Sequence, residues 1–241
     1  GKDAVLVRGD CEPDLQNIAF SNVSGNYVEL AKNANGDAPT KNFNISNSSF
    51  DGVAGLTLNK SQGRAVEDKL IHYMDTSDFA VISFNANNIY VTTHDGNTSL
   101  GRGLKIAFDN WNIYVDSMHN MEDVIVENTI NLYPLSNLSI GSVTMNQLGK
   151  ELILHDDLSL ATGLNLTAGN VNTSNGDLYV GRMGIAAAPM GITGGSVTSY
   201  VDGDLYIVND DGKRDTLYFP IGLNGDYRPC TMQVLFNNGN R

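Results

Sequence analysis

The chain has 241 residues, enough for one large β domain or two ordinary ones, with a sizeable core either way. Hydrophobic residues make up 41% but charged residues only 17%, and the difference is filled by Asn, Ser, Thr and Gly, which suit turns and strand surfaces rather than helices. A formal net charge of −12 and no Lys/Arg cluster argue against a nucleic-acid partner, and no run of about 18 apolar residues is present to cross a membrane as a helix.

In chain order, short alternating runs read as strands: Tyr27-Val28-Glu29-Leu30, Leu56-Thr57-Leu58, Val81-Ile82-Ser83-Phe84, Leu104-Lys105-Ile106, Leu152-Ile153-Leu154 and Leu164-Asn165-Leu166. The nearest approach to a helical stripe is Ser61 to Tyr73, and it is weak. Four copies of one phrase stand among these runs, each a polar residue followed by apolar, Tyr, apolar. They are Asn88-Ile89-Tyr90-Val91, Asn112-Ile113-Tyr114-Val115, Asp177-Leu178-Tyr179-Val180 and Asp204-Leu205-Tyr206-Ile207. With Asn17-Ile18, Asn42-Phe43, Lys69-Leu70, Asn131-Leu132 and Asp157-Leu158 as looser members, the starts follow at spacings of 25, 27, 19, 24, 19, 26, 20 and 27 residues. Spacings of this size mark repeat architectures.

The reading is all-β: a right-handed parallel β-helix of about nine coils over residues 1–207, with 208–241 as a cap or the start of a next module. The cap is expected because Pro220 and Pro229 resist a central ladder. A β-sandwich is the alternative, on the strength of the turn dipeptides Asn35-Gly36, Asp51-Gly52, Asp95-Gly96, Asn175-Gly176 and Asp211-Gly212. In the repeated phrase the apolar neighbours face one side and the tyrosine the other. That predicts outward rows, with Tyr90 over Tyr114 and Tyr179 over Tyr206, as a candidate surface for a sugar or a protein partner.

Cys11 and Cys230 lie near opposite ends of the chain, and an intrachain disulfide is not expected. The chain starts at Gly1 and stops at Arg241 in the manner of a piece of something longer. The sequence carries no catalytic motif of a familiar kind: His72, His94, His119 and His155 are scattered and read as solvated, and no nucleophile elbow or phosphate loop appears. Asp156-Asp157 with Asp177, or Asp202 and Asp204 with Asp177, could place two carboxylates at glycosidase spacing, although acids in turns are expected anyway. Asn33-Ala34-Asn35-Gly36-Asp37 is half a calcium loop without its closing acid, so it reads as a tight turn and leaves calcium as a weak alternative to no cofactor and no metal.

The stretch Gly194 to Leu205, with Ser199-Tyr200-Val201-Asp202-Gly203-Asp204-Leu205, then Tyr218-Phe219-Pro220-Ile221-Gly222 and Asp226-Tyr227-Arg228-Pro229, resembles a pattern of very large secreted surface proteins of Bacteroidota. The resemblance covers about the last third of the chain, with Ile221 in place of the usual Val. It implies export by a type IX route and display at the cell surface. It also makes Ser117 and Thr216, in Asp116-Ser117-Met118 and Asp215-Thr216-Leu217, similar to O-glycosylation acceptors. The expectation is therefore a non-enzymatic structural or adhesive module that meets an extracellular glycan or protein surface and neighbouring modules of its own chain. The alternative is a carbohydrate-active β-helix, either a polysaccharide lyase or glycosidase or a tailspike-like fragment.

Overall fold

A computed structural model describes residues 2–93, 99–116, 122–135, 138–181, 191–208 and 215–234, without the side chains of Asp215 and Val234. The all-β expectation holds, with strands over 49% of the chain. Contacts divide the chain into two compact units, Gly1–Ile106 and Ala107–Arg241.

In the first unit the strands are β1 (Val5–Arg8), β2 (Ala19–Phe20), β3 (Val28–Ala31), β4 (Phe43–Asn44), β5 (Ser49–Phe50) and β6 (Val53–Ala54). Helix α1 (Lys60–Glu67), β7 (Leu70–Ile71), β8 (Ile82–Ser83), β9 (Asn88–Val91) and helix α2 (Leu100–Ile106) follow. Parallel pairing builds three small stacks: β1 with β3 and β7, β2 with β5, and β4 with β8. Between them Phe20 stacks on Phe50 at 5.3 Å, Phe50 meets Phe84 edge-on at 6.1 Å, and Phe84 stacks on Tyr90 at 5.6 Å. Large rings fill this core where aliphatic residues alone would leave gaps.

The two helices correct the sequence reading. Helix α1 begins on a capping box: Asn59 Oδ1 accepts the Gln62 N–H at 2.9 Å, and Gln62 Oε1 accepts the Asn59 N–H at 3.0 Å. Leu104-Lys105-Ile106, expected as strand, lies in α2, and Leu56-Thr57 lies in a 3-10 turn. Two glycines make α2 a poor helix by propensity. Packing overrides this, because Gly103 lets the helix close onto Ile89 and Val91, whose methyl carbons lie 3.4 and 3.3 Å from where its Cβ would stand.

Tyr90, expected outward, is also corrected: it is 2% exposed. Helix α1 covers its ring, and its hydroxyl accepts a bond from Asn85 Nδ2 at 2.9 Å. The contact is possible because position 63 is glycine; a Cβ there would fall 2.2 Å from Tyr90 Cζ. Gly63→Ala is expected to cost about 1–3 kcal/mol by overpacking, since Phe84 and Asn85 hold the ring, and urea denaturation measures the loss.

Asp51-Gly52 forms a two-residue hairpin between β5 and β6, with φ of +47° and +86° at the two positions. Its Asp51 carboxylate accepts the Tyr27 hydroxyl at 2.8 Å. Burial, reinforced by this bond and the nearby negative charge, pushes the Tyr27 phenol up to about 12. The folded chain therefore keeps this proton while the unfolded chain loses it near pH 10, so this contribution falls as pH rises from about 10 through 12. Absorbance titration of wild type against Tyr27→Phe should show one late-ionising phenol lost in the variant, together with part of the alkaline loss of stability.

The second unit contains β10 (Trp111–Val115), β11 (Asp123–Val126), β12 (Ile130–Pro134), β13 (Leu138–Leu154), β14 (Leu158–Asn172), β15 (Leu178–Gly181) and β16 (Gly191–Gly194). It continues with β17 (Val201–Asp202), β18 (Leu205–Val208), β19 (Asp215–Phe219), β20 (Ile221–Leu223), β21 (Asp226–Tyr227) and β22 (Cys230–Val234). Long strands β13 and β14 pair in parallel over three successive segments, 138–140 with 158–160, 142–145 with 163–166, and 151–153 with 170–172. Each segment belongs to its own stack. One runs β10, β12, the end of β13, the end of β14, β17, β20. Another runs from the start of β13 through β14 and β15 to β18. The third joins β11 to the middles of β13 and β14 and then to β16.

Inward positions repeat across each stack, so Leu138, Leu158 and Leu178 are at most 1% exposed in one column. Burying a leucine fully stabilises by about 1.5–3 kcal/mol, so such columns outweigh the short strands' weak local preference. This predominantly parallel pairing is not the antiparallel pairing of a sandwich. Antiparallel pairs close the end of the unit, where β20 turns into β21 through Asn224 and Gly225, and β19 pairs with β22.

The repeated phrases do not occupy one equivalent position. Asn112-Ile113 and Asn131-Leu132 are in register in the first of these stacks, whereas the phrases starting at Asp157, Asp177 and Asp204 align in another. The steps from Asn112 to Asn131, Asp157 to Asp177 and Asp177 to Asp204 are true returns to one stack, whereas those from Asn42 to Lys69 and from Asn131 to Asp157 move between stacks.

Candidate functional site

The alternation of the phrase places its tyrosines outward in the second unit. Tyr114 lies between Ile113 and Val115, both 0% exposed, and stacks on Tyr133 at 4.8 Å. Tyr133 in turn stacks on His155 at 4.1 Å with the planes 6° apart. Sequence reasoning missed Tyr133 and His155 as members of this row. The signal was present as Tyr133 at the same offset in the looser copy Asn131-Leu132. Asn112 and Asn131 align in neighbouring strands, but Ile153 takes the next position, and Asn131 Oδ1 meets His155 Nε2 at 3.2 Å. A polar row that sequence did not reveal runs along the third stack: Asn165 Nδ2 donates to Thr144 Oγ1 at 3.2 Å, and the Thr193 hydroxyl donates to Asn165 Oδ1 at 2.5 Å.

Tyr179 stacks on Tyr206 at 4.9 Å, as expected, and Tyr206 is 46% exposed. The register of their strands also brings Asp157, Asp177 and Asp204 to one edge of this face. Asp157 Oδ1 accepts the Asp177 N–H at 3.0 Å, and Asp177 Oδ2 accepts the Tyr179 hydroxyl at 3.2 Å. Burial, then the Asp177 bond, raises the Tyr179 phenol; the charges of Asp177 and Asp204 raise Tyr206. Both phenols are thus neutral donors at ordinary pH. Asp202 sits in a different stack, where its carboxylate accepts the Asn224 N–H at 3.1 Å. The two Asp177 pairings considered from sequence are therefore not equivalent: Asp157 is brought beside it, while Asp202 serves the β20–β21 turn.

Stacking decides what these rows can offer. A sugar packs its C–H face on an open aromatic face, but both faces of Tyr133 are taken by neighbours in the row. The ring with the most exposure in these rows is Tyr206, for which one stacking neighbour, Tyr179, is found among the described residues. Tyr90 does not belong to this surface.

Thr216 is exposed on β19, opposite Gln233, whereas Ser117, His94, His119, Asp95-Gly96 and Asp211-Gly212 lie outside the described residues. Cys11 and Cys230 are exposed free thiols. In the loop expected to be a tight turn, Asn33 Oδ1 accepts the N–H groups of Asn35 and Asp37, both at 2.9 Å. No group of three His, Cys, Asp or Glu side chains is arranged for a metal among the described residues. In the first unit a shallow cleft is lined by Glu12, Leu15, Lys41 and Phe43, and an exposed Lys41–Glu12 pair at 2.6 Å lies at it.

His72 corrects the reading of solvated histidines: its side chain is 2% exposed. Nδ1 accepts the Ile82 N–H at 3.0 Å, so the neutral ring carries its proton on Nε2 and donates it to Glu67 Oε1 at 2.8 Å. Glu67 is as buried as its partner. Burial raises its carboxyl above the usual range, and His72 partly offsets this. The pair joins α1 to β8 in the first unit. Comparison of the chain with protein-family models, with curated proteins and with solved structures found no match.

Proposed function

We propose that this chain is a non-enzymatic structural or adhesive module of a large exported bacterial surface protein, with its stacks closed into a parallel β-helix of about nine coils and residues 208–241 as a cap or the start of a next module. The observation that carries this reading is the threefold parallel pairing of β13 with β14, which visits three stacks in the same order on successive passes. A body of that kind is a spacer whose outer rows are available for contact. The resemblance of residues 194–229 to secreted Bacteroidota surface proteins supports display outside the cell, with type IX export. Thr216, exposed on its strand, is accessible to the glycosylation that the resemblance implies. Tyr179 and Tyr206, edged by Asp177, are the surface assigned to a glycan or protein contact. No cofactor, metal or nucleic acid enters this function.

The test is incubation of the purified chain with neutral and acidic polysaccharides, read both as retention and as release of reducing ends. Retention that weakens in Tyr206→Ala, without new reducing ends, is the expected result. New reducing ends that disappear in Asp177→Asn would replace this reading with the carbohydrate-active alternative.

A further inference from the structure

Among the described residues the stack that begins at Leu138 ends at β18, and that end is incompletely covered. Its inward column is sealed at Leu138, Leu158 and Leu178 but only half-buried at Leu205; the neighbouring column is sealed at Ile140, Leu160 and Val180 but half-buried at Ile207. Being last does not by itself expose a strand. Residues 138–140 at the other end also pair on one side only among the described residues, and they are at most 7% exposed.

The other stack ends in this unit differ. The stack containing β20 is closed by the antiparallel strand β21, with Asn224 bonded back to Asp202. The stack ending at β16 finishes on Gly191-Ile192-Thr193-Gly194, which offers one large apolar side chain. By contrast β18 is Leu-Tyr-Ile-Val, with no charge and no proline, and it pairs with β15 alone among the described residues. Parallel strands bond to their two neighbours through alternating backbone groups, so half of the groups of β18 point away from β15. Natural edges are blunted by Lys, Pro or bulges, and an edge without them is a template for another strand.

The stack itself specifies that strand. Asp157 receives the N–H of Asp177 one strand further on, whereas the Asp177 carboxylate takes the Tyr179 hydroxyl; Asp204, exposed at the corresponding place before β18, has a carboxylate that can accept the N–H of a next strand. Tyr206 repeats the position of Tyr179 and has an exposed ring to stack on. A fourth acid beside Asp157, Asp177 and Asp204 would add like charge, which favours Asn at the first position. We propose that β18 is an assembly edge that takes a further parallel strand of sequence Asn, aliphatic, Tyr, aliphatic from a neighbouring module of the same surface polypeptide. This rests on the module reading above, and it assigns the place and chemistry of the junction.

The probe is a peptide carrying Asn-Ile-Tyr-Val between polar flanks, titrated into the 15N-labelled full chain. Saturable amide shifts confined to residues 205–208 are expected. Binding should weaken about three- to tenfold in Tyr206→Ala, from loss of one ring stack, and vanish in Leu205→Lys, with circular dichroism showing both variants folded. A shuffled peptide should give no shifts. Absence of shifts at millimolar peptide, or equal binding by a folded Leu205→Lys chain, overturns the proposal. Self-association through the same amides without peptide also overturns it, in favour of a second copy as the occupant. A chain that scatters as a rod yet ignores the peptide loses the junction and keeps the module reading; a chain that releases reducing ends loses the module reading whatever the peptide does.

Discussion

Replacing His72 by alanine is expected to destabilise the first unit by about 3–5 kcal/mol, a large fraction of the roughly 5–15 kcal/mol of an ordinary domain. The variant leaves the Glu67 carboxylate buried without its donor and removes the acceptor of the Ile82 N–H. Neither group can reach water, because the two side chains are 5% and 2% exposed. Glu67→Gln is expected to cost much less, since the amide oxygen can still accept the Nε2–H and no charge is left behind. The two variants separate charge burial from hydrogen bonding in a way a single truncation does not. They also differ in pH response. The Glu67 carboxyl is raised by burial above its unfolded value, so the native chain binds more protons between the two values. Its contribution to stability is present below the unfolded value near 4.3 and falls as pH rises through the folded one. Urea midpoints measured across the acid range should show that slope in wild type and lack it in Glu67→Gln.

The second large effect is expected inside the second unit. Leu158 is 0% exposed between Leu138 and Leu178, and Leu158→Ala should cost about 2–5 kcal/mol through lost burial and the cavity left in the column. Tyr179→Phe, one position beyond Leu178 on the outward face, removes only a hydroxyl bond to Asp177 and should cost about 1 kcal/mol or less. Chemical denaturation of both variants checks the register directly. A slip of one residue would exchange inner and outer faces and reverse the order of the two losses.

Much of the strand chemistry was readable before the fold. Alternation in Ile113-Tyr114-Val115 and Leu178-Tyr179-Val180 places two buried aliphatics around an outward ring, because side chains in a strand alternate faces whatever the partner. The Tyr179 over Tyr206 stack followed from the same lag. Assigning every copy of the phrase to one coil position failed for a physical reason: a strand that needs apolar, Tyr, apolar can sit in any stack, and the local pattern does not say which. Tyr90 failed differently. Its own sequence matches Tyr114, but α1, inserted between β6 and β7, lays Gly63 against the ring and buries it. Helix α1 did leave a local signal in Asn59 and Gln62; helix α2, with two glycines, left none.

The candidate surface shows the same division. The outward tyrosines of the second unit were legible, while the His155 that extends one row directly follows β13, outside any copy of the phrase, and needed the pairing of β12 with β13. The junction proposed at β18 was not legible at all. Leu205-Tyr206-Ile207 reads like its buried counterparts, and only coverage by neighbours distinguishes them.

The sequence by itself determined that this protein is built of short strands with apolar inner and polar outer faces, because that alternation is a property of each strand. Tertiary structure decided which strands share a stack, which tyrosine is buried and which histidine is locked to a carboxylate. Those outcomes depend on residues far apart in the chain, whose pairing is set by packing rather than by local pattern.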